Sequence, residues 1–280
     1  MSVQIKRFFR SGKRDVDMTE GNIFGHIIKF ACPLLLGNVL QQLYNMVDTW
    51  VVGNYVSGEA FSAVGTVGPI INALISLFWG FSAGVGVVVS QYYGAKQYEK
   101  VSETVHTAIV VVFIAGLVFT GIGIAMVPMM LGFMNTPDEV VGEATVYLTV
   151  YFSGLLGLVL YNVGSGILRA VGDSKRPFYF LAVSAITNTV LDLVFVLAFD
   201  MGVAGVALAT IIAQGLSAVL ILRTLYRSNN CIKISFGKLR VHKVQLFKIV
   251  KVGIPVAAQM MVTSFSNVFV QSYVNFFGTE

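Results

Sequence analysis

The sequence predicts an all-α polytopic membrane protein, with a six-helix N-terminal lobe followed by the first helix of a second, parallel six-helix repeat. Three observations predict it. The 280 residues are 56% hydrophobic and 12% charged, with a mean hydropathy of +0.78, whereas a soluble domain carries roughly 25% charge. Seven apolar runs fill most of the chain, most of them longer than the roughly 20 residues a helical span needs. A short motif at the start of the first run returns at the start of the seventh.

Residues 1–22 are basic and polar up to Asn22 and lack the apolar core and cleavage site of a secretory signal, so the first helix should be retained. Val3, Ile5, Phe8 and Phe9 would let residues 1–10 lie on the membrane surface; a disordered tail is the alternative. The first span, 27–56, carries Pro33 and Asp48. The second, 60–93, carries Gly80, Ser82, Ala83, Gly84 and Gly86, small residues that permit close helix contact. Gly84-Val85-Gly86 follows no strand, so it is not a dinucleotide fingerprint. The third and fourth spans are 104–132 and 144–168, and Gly172-Asp173-Ser174 makes a turn before Pro177. The fifth, 177–199, holds Asp192; the sixth is 203–225 and the seventh, with Pro255, is 252–278. Helices rather than strands are expected because the runs are apolar on all sides, whereas barrel strands alternate polarity over about 10 residues. The expected organisation is a cytoplasmic segment 1–22, a six-helix lobe 23–226, a basic cytoplasmic inter-lobe loop 227–246, and the first helix of a further lobe at 247–280.

All 19 Lys and Arg fall on the side shared by alternate loops and the N-terminus, which the positive-inside rule makes cytoplasmic. That side holds Lys6 to Arg14, then Lys96 and Lys100, then Arg169, Lys175 and Arg176, and the stretch from Arg223 to Lys251. The opposite loops carry Glu59, Asp138, Glu139, Glu143 and Asp200. The net charge of +5 therefore reports topology and attraction to anionic lipid headgroups. Cys32 and Cys231 have no CxxC partner, and no disulfide is expected.

Ile27-Ile28-Lys29-Phe30-Ala31-Cys32-Pro33 recurs 222 residues on as Ile249-Val250-Lys251-Val252-Gly253-Ile254-Pro255. At that offset Asn45 meets Asn267, but Asp48 meets Val270, so the second copy lacks the acid. The copies start six helices apart and run in the same direction, which relates the halves by an axis along the membrane normal. On this reading the seventh helix opens a second half, and the whole protein is expected to have about twelve helices. Pro33 and Pro255 each remove a backbone hydrogen bond near the basic ends of their helices and are candidate hinges.

Only Asp48 and Asp192 place a charge deep in an apolar run. A carboxylate in hydrocarbon costs roughly 2.5–3.5 kcal/mol on insertion scales, so it faces a bundle interior or a wet cavity where it can hold a cation or proton. At 1.5 Å per residue both lie roughly 10–12 Å below the outer surface. Asn188 is four residues before Asp192 on the same helical face, so its amide can share a cation with, or hydrogen-bond, that carboxylate. Tyr44 is four before Asp48, and Thr210 on the sixth span lies at a similar depth. Gln41, Tyr147 and Asn162 are weaker candidates to line the same cavity. The plain alternative for each of these side chains is helix packing or a buried hydrogen bond.

Several separate segments, in order, resemble the multidrug and toxic compound extrusion (MATE) transporters, especially the bacterial branch with an acidic N-terminal lobe. They are Thr19-Glu20-Gly21, Pro33-Leu34-Leu35-Leu36-Gly37-Asn38, Gln41 to Asp48, Val52-Gly53, Ala63-Val64-Gly65, Arg169 to Lys175, and Asn188-Thr189-Val190-Leu191-Asp192. The resemblance runs from Met18 to Glu280. It implies two six-helix lobes, of which this chain is the N-terminal one plus helix seven. It also implies an N-lobe site for Na⁺ or H⁺ at Asp48, Asn188, Asp192 and Thr210, with Tyr44 nearby; for Na⁺, Asp48, Asn188 and Asp192 would be the ligands.

The function expected is a monomeric antiporter in the bacterial cytoplasmic (inner) membrane, N-terminus cytoplasmic, exporting drugs and other organic, often cationic, compounds by alternating access. No cofactor beyond the coupling ion is expected, nor enzymatic activity: His26, His106 and His242 form no HExxH motif, and no Walker lysine follows a glycine loop. No nucleic-acid-binding motif is present. One alternative is a flippase for lipid-linked saccharides, which should show a basic central cavity, whereas helix-interior Arg or Lys are absent from the sequence. Another is a seven-helix receptor or a structural membrane subunit; the seventh span has no mid-membrane lysine for a retinal linkage.

Overall fold

A computed structural model describes residues 23–56, 58–133 and 138–277. The expectations for residues 1–22 and for Thr19-Glu20-Gly21 lie outside the described residues.

The long apolar runs form helices, because in hydrocarbon only a helix or a closed barrel satisfies every backbone group. These are α1 (Ile23–Tyr55), α2 (Gly58–Gly94), α3 (Tyr98–Phe133), α4 (Asp138–Ser153), α5 (Leu155–Ala170), α6 (Lys175–Leu193), α7 (Gly202–Arg227) and α8 (Lys243–Phe277). Among the described residues there is no strand. Among the described residues six helices are long and apolar enough to cross a membrane, and the α4–α5 pair makes a seventh span if counted as one.

The fourth span is not the single straight helix expected: α4 and α5 meet at a 46° bend. Gly154 lies at the break, and a Cβ there would come within 2.5 Å of Ile211 Cγ1. A second departure follows α6, which continues into a π-helical turn, Val194–Ala198, closed by Phe199 N–H donating to Val194 O. Such turns recur beside functional sites, and this one starts two residues after Asp192. The seventh span also begins earlier than expected, since α8 takes up Lys243 to Leu246 from the basic loop.

α2 runs through the middle of the bundle and makes its most extensive contact with α8. The small residues allow it: a Cβ on Gly80 would lie 2.4 Å from Ala257 Cβ, and one on Gly84 would lie 2.4 Å from the carbonyl oxygen of Ile249. On another face Ser82 Oγ donates to Asn162 O of α5 at 2.8 Å. The main core, around Phe152, Leu148, Ile167 and Leu168, fills the space between α2, α3, α4 and α5. α1 stands apart from that core. It leans chiefly on α6 and leaves Leu35 64% and Met46 65% exposed, so a cleft opens between α1 and the rest.

Both candidate hinge prolines lie inside continuous helices, Pro33 in α1 and Pro255 in α8. The basic loop is pinned to α3: Ser235 N–H donates to His106 Nε2 at 3.0 Å, His242 N–H to Thr107 Oγ1 at 3.0 Å, and Gln245 Nε2 to Glu103 Oε2 at 2.9 Å. His106 Nδ1 lies 2.7 Å from Ser102 O, which fixes the ring as the Nδ1–H tautomer.

Candidate functional site

Three helices bring the polar candidates together. Asp48 comes from α1, Asn188 and Asp192 from successive turns of α6, and Thr210 from α7. Asp192 and Asn188 are fully buried, Thr210 nearly so, and Asp48 is half-buried. Asn188 Nδ2 donates to Thr210 Oγ1 at 3.3 Å, and the Thr210 hydroxyl is directed at Asp48 Oδ2 at 3.5 Å. The two carboxyl groups lie within Coulombic reach of each other across the α1–α6 contact. Of the two expected links between Asn188 and Asp192, the direct hydrogen bond is not made: the amide N–H turns to Thr210, linking α6 to α7, and the amide oxygen stays without a partner.

What remains unsatisfied defines the chemistry. Asp48 Oδ1, Asn188 Oδ1 and both carboxyl oxygens of Asp192 are buried without a hydrogen-bond partner. The ion pairs found, Arg176–Asp173 and His242–Glu103, leave both acids without a basic partner among the described residues. Buried oxygens left so are costly. An all-oxygen set of carboxylates, an amide and a hydroxyl suits a hard cation, and the same carboxyl groups can carry a proton. No cluster of three or more His, Cys, Asp or Glu side chains occurs among the described residues, which separates this set from a transition-metal centre.

Valines close the site on the side of the acidic loops. Val51, Val52, Val196, Val203 and Val206 form a small separate core, with Val47, Val56, Leu193 and Tyr147 packed on it. On the other side lies a cavity of ≈ 100 Å³ between α1, α2, α5, α6 and α7. Its wall includes Asn188 and Thr210 at the acid end, and Gln41, Tyr44 and Asn162 along its length. Asn162 Nδ2 is committed to Leu158 O at 2.9 Å, which leaves its amide oxygen for the cavity. Tyr147 does not line the cavity. It stacks on Tyr151, with ring centroids 6.1 Å apart and planes at 23°, beside Tyr44 and Asp48.

Sequence reasoning missed three residues. Tyr151 and Gln214 join Tyr44, whose hydroxyl and that of Tyr151 both reach the Gln214 side chain. Tyr151 could have been found from Tyr147, one turn earlier; Gln214 had only its polarity in an apolar run, four residues after Thr210. The third is Arg169, read as a topology charge. It sits in the last turn of α5 and lines the cavity, so the expectation that no basic side chain reaches this interior is corrected.

Residues 33–194 match the family model MatE. The chain is 30% identical over 266 residues to the probable multidrug resistance protein YpnP of Bacillus subtilis (strain 168), covering 94% of this chain and 58% of that protein. It is 25% identical over 261 residues to the multidrug export protein MepA of Staphylococcus saprophyticus, covering 92% and 58%. The structure superposes with a TM-score of 0.85 and 26% identity on an outward-facing multidrug resistance MATE family transporter of the MOP superfamily, covering 94% of this chain and 58% of that one. The chain thus spans a little over half the length of the relatives it matches.

Proposed function

The chain belongs to the MATE family, and from that premise we propose that it acts in cation-coupled export of organic, often cationic compounds, with Asp48, Asn188, Asp192 and Thr210 as the coupling site. The observation that carries the proposal is the convergence of four buried, unpartnered oxygens on two carboxylates and an amide, with no basic group paired to them among the described residues. Na⁺ or H⁺ is the coupling ion, held as transported cargo.

The mechanism follows from linkage. Binding a cation or proton at Asp48 and Asp192 neutralises the negative charge at the end of the cavity. An organic cation in the cavity is attracted by that same charge. The two therefore favour opposite states, and each weakens the other's binding by the same factor. Because α1 contributes Asp48 while making few contacts with the core, drawing its carboxylate toward or away from α6 would tilt α1 and open or close the cavity. Bending of α1 at Pro33 and of α8 at Pro255 fits alternating access. The distribution of Lys and Arg supports a cytoplasmic N-terminus in the bacterial inner membrane, and the small-molecule cavity within a single chain supports a monomer.

The test is dye efflux from cells expressing the wild type, Asp48→Asn or Asp192→Asn at matched levels, with Na⁺ and pH gradients imposed separately. Both variants should lose gradient-driven efflux, and the gradient that drives the wild type names the ion. Unchanged efflux in both returns the two acids to a packing role.

A further inference from the structure

Arg169 is held where it need not be. α5 ends in a Schellman turn: Gly172 takes φ +90°, its N–H donates to Arg169 O at 3.0 Å, and Asp173 N–H donates to Leu168 O at 3.0 Å. That turn fixes Arg169 in the final helical turn, where the helix dipole favours a cation. The nearest acid in sequence is already taken. Asp173 accepts from the Arg176 backbone N–H at 3.1 Å and pairs with Arg176 Nε at 3.2 Å. Among the described residues, Arg169 pairs with no carboxylate.

One helical turn deeper, Ser165 also lines the cavity and is 2% exposed, with its hydroxyl buried and without a partner. Tyr161, a further turn along, gives its hydroxyl proton to Pro177 O at 3.0 Å. Arg169 thus presents unused donors, with the Ser165 hydroxyl between it and Tyr161, to one end of a cavity whose other end, at Asn188 and Thr210, abuts the acid pair. From Pro177 to Asn188, both in the wall, α6 rises by roughly 16 Å.

We propose that Arg169 and Ser165 form an anion subsite at the basic end of the cavity, which takes the carboxylate or phosphate of an amphoteric organic molecule whose cationic end points toward Asp48 and Asp192. The proposal deepens the reading of the cavity as the substrate path and rests on it. A guanidinium presents a planar fork of donors matched to a carboxylate or phosphate, and a neighbouring hydroxyl donates to a remaining lone pair. Leaving these donors unmatched in a narrow, partly apolar cavity is unfavourable, so a substrate with an anionic arm should bind more tightly than its neutralised analogue.

The experiment uses the purified protein and a rhodamine dye in two forms, the free carboxylic acid and its methyl ester, with binding followed by fluorescence anisotropy. The wild type should bind the acid on the order of tenfold more tightly than the ester, the scale of one charge-assisted contact. Arg169→Gln should erase that preference, Arg169→Lys should keep part of it, and Ser165→Ala should reduce it with the charge intact. Equal binding of acid and ester by the wild type, or a preference that survives Arg169→Gln, overturns the subsite. Competition separates the sources of the anion: displacement of the acid by dihexanoyl phosphatidylglycerol points to a lipid phosphate, and its persistence points to the substrate's own carboxylate. Ester binding and its gradient-driven efflux read the acid site, so failure here is distinguishable from failure of cation coupling.

Discussion

Thr210 holds the proposed coupling site together at the level of single atoms. Its hydroxyl accepts from Asn188 and is aimed at Asp48, so one small side chain joins three helices. Thr210→Val keeps the shape and removes both contacts, leaving the Asn188 NH₂ buried without an acceptor, a cost of about 1–3 kcal/mol. Thermal unfolding in detergent should show a lowered melting temperature for Thr210→Val and near wild-type behaviour for Thr210→Ser; an unchanged Val variant would remove Thr210 from the site. The acids themselves were legible in the sequence because a charge in an apolar run has few structural excuses. The direction of the Asn188 amide was not, since an i, i+4 spacing says which side chains are neighbours on one helix and nothing about a better acceptor on the next.

At the scale of elements, α2 and α8 approach one another so closely that glycine is required on α2. A Cβ at Gly84 would meet the Ile249 carbonyl and Gly253, and one at Gly80 would meet Ala257 and its backbone. Backbone atoms cannot rotate away, so Gly84→Ala should force the helices apart at about 1–3 kcal/mol. Gly121→Ala on α3, with nothing within 4 Å of the added methyl, should be tolerated. Melting temperatures of the two variants check this, and equal values would show that the α2–α8 contact yields easily. The run of small residues announced close packing, yet not which helix would approach; that partner is the one farthest along the chain. The bend at Gly154 was likewise silent, because the side chain that leaves no room for a Cβ there, Ile211, lies on α7.

For the whole molecule, the basic loop between α7 and α8 is tied to α3 by Glu103, His106 and Thr107. His106→Leu removes the acceptor for Ser235 N–H, at about 1 kcal/mol, and should speed limited tryptic cleavage at Lys233 and Lys238 by roughly fivefold. Cleavage at the wild-type rate would show that the clamp does not hold the loop. Hydropathy by itself determined the class of this protein and the approximate limits of its apolar helices, because water and hydrocarbon impose those features residue by residue. Tertiary structure decided which oxygens were left unpartnered, that Gln214 and Tyr151 stand beside Tyr44, and that Arg169 lines the cavity rather than only marking a side of the membrane. Those outcomes depend on which helices approach one another, and packing sets that through contacts between residues far apart in the chain.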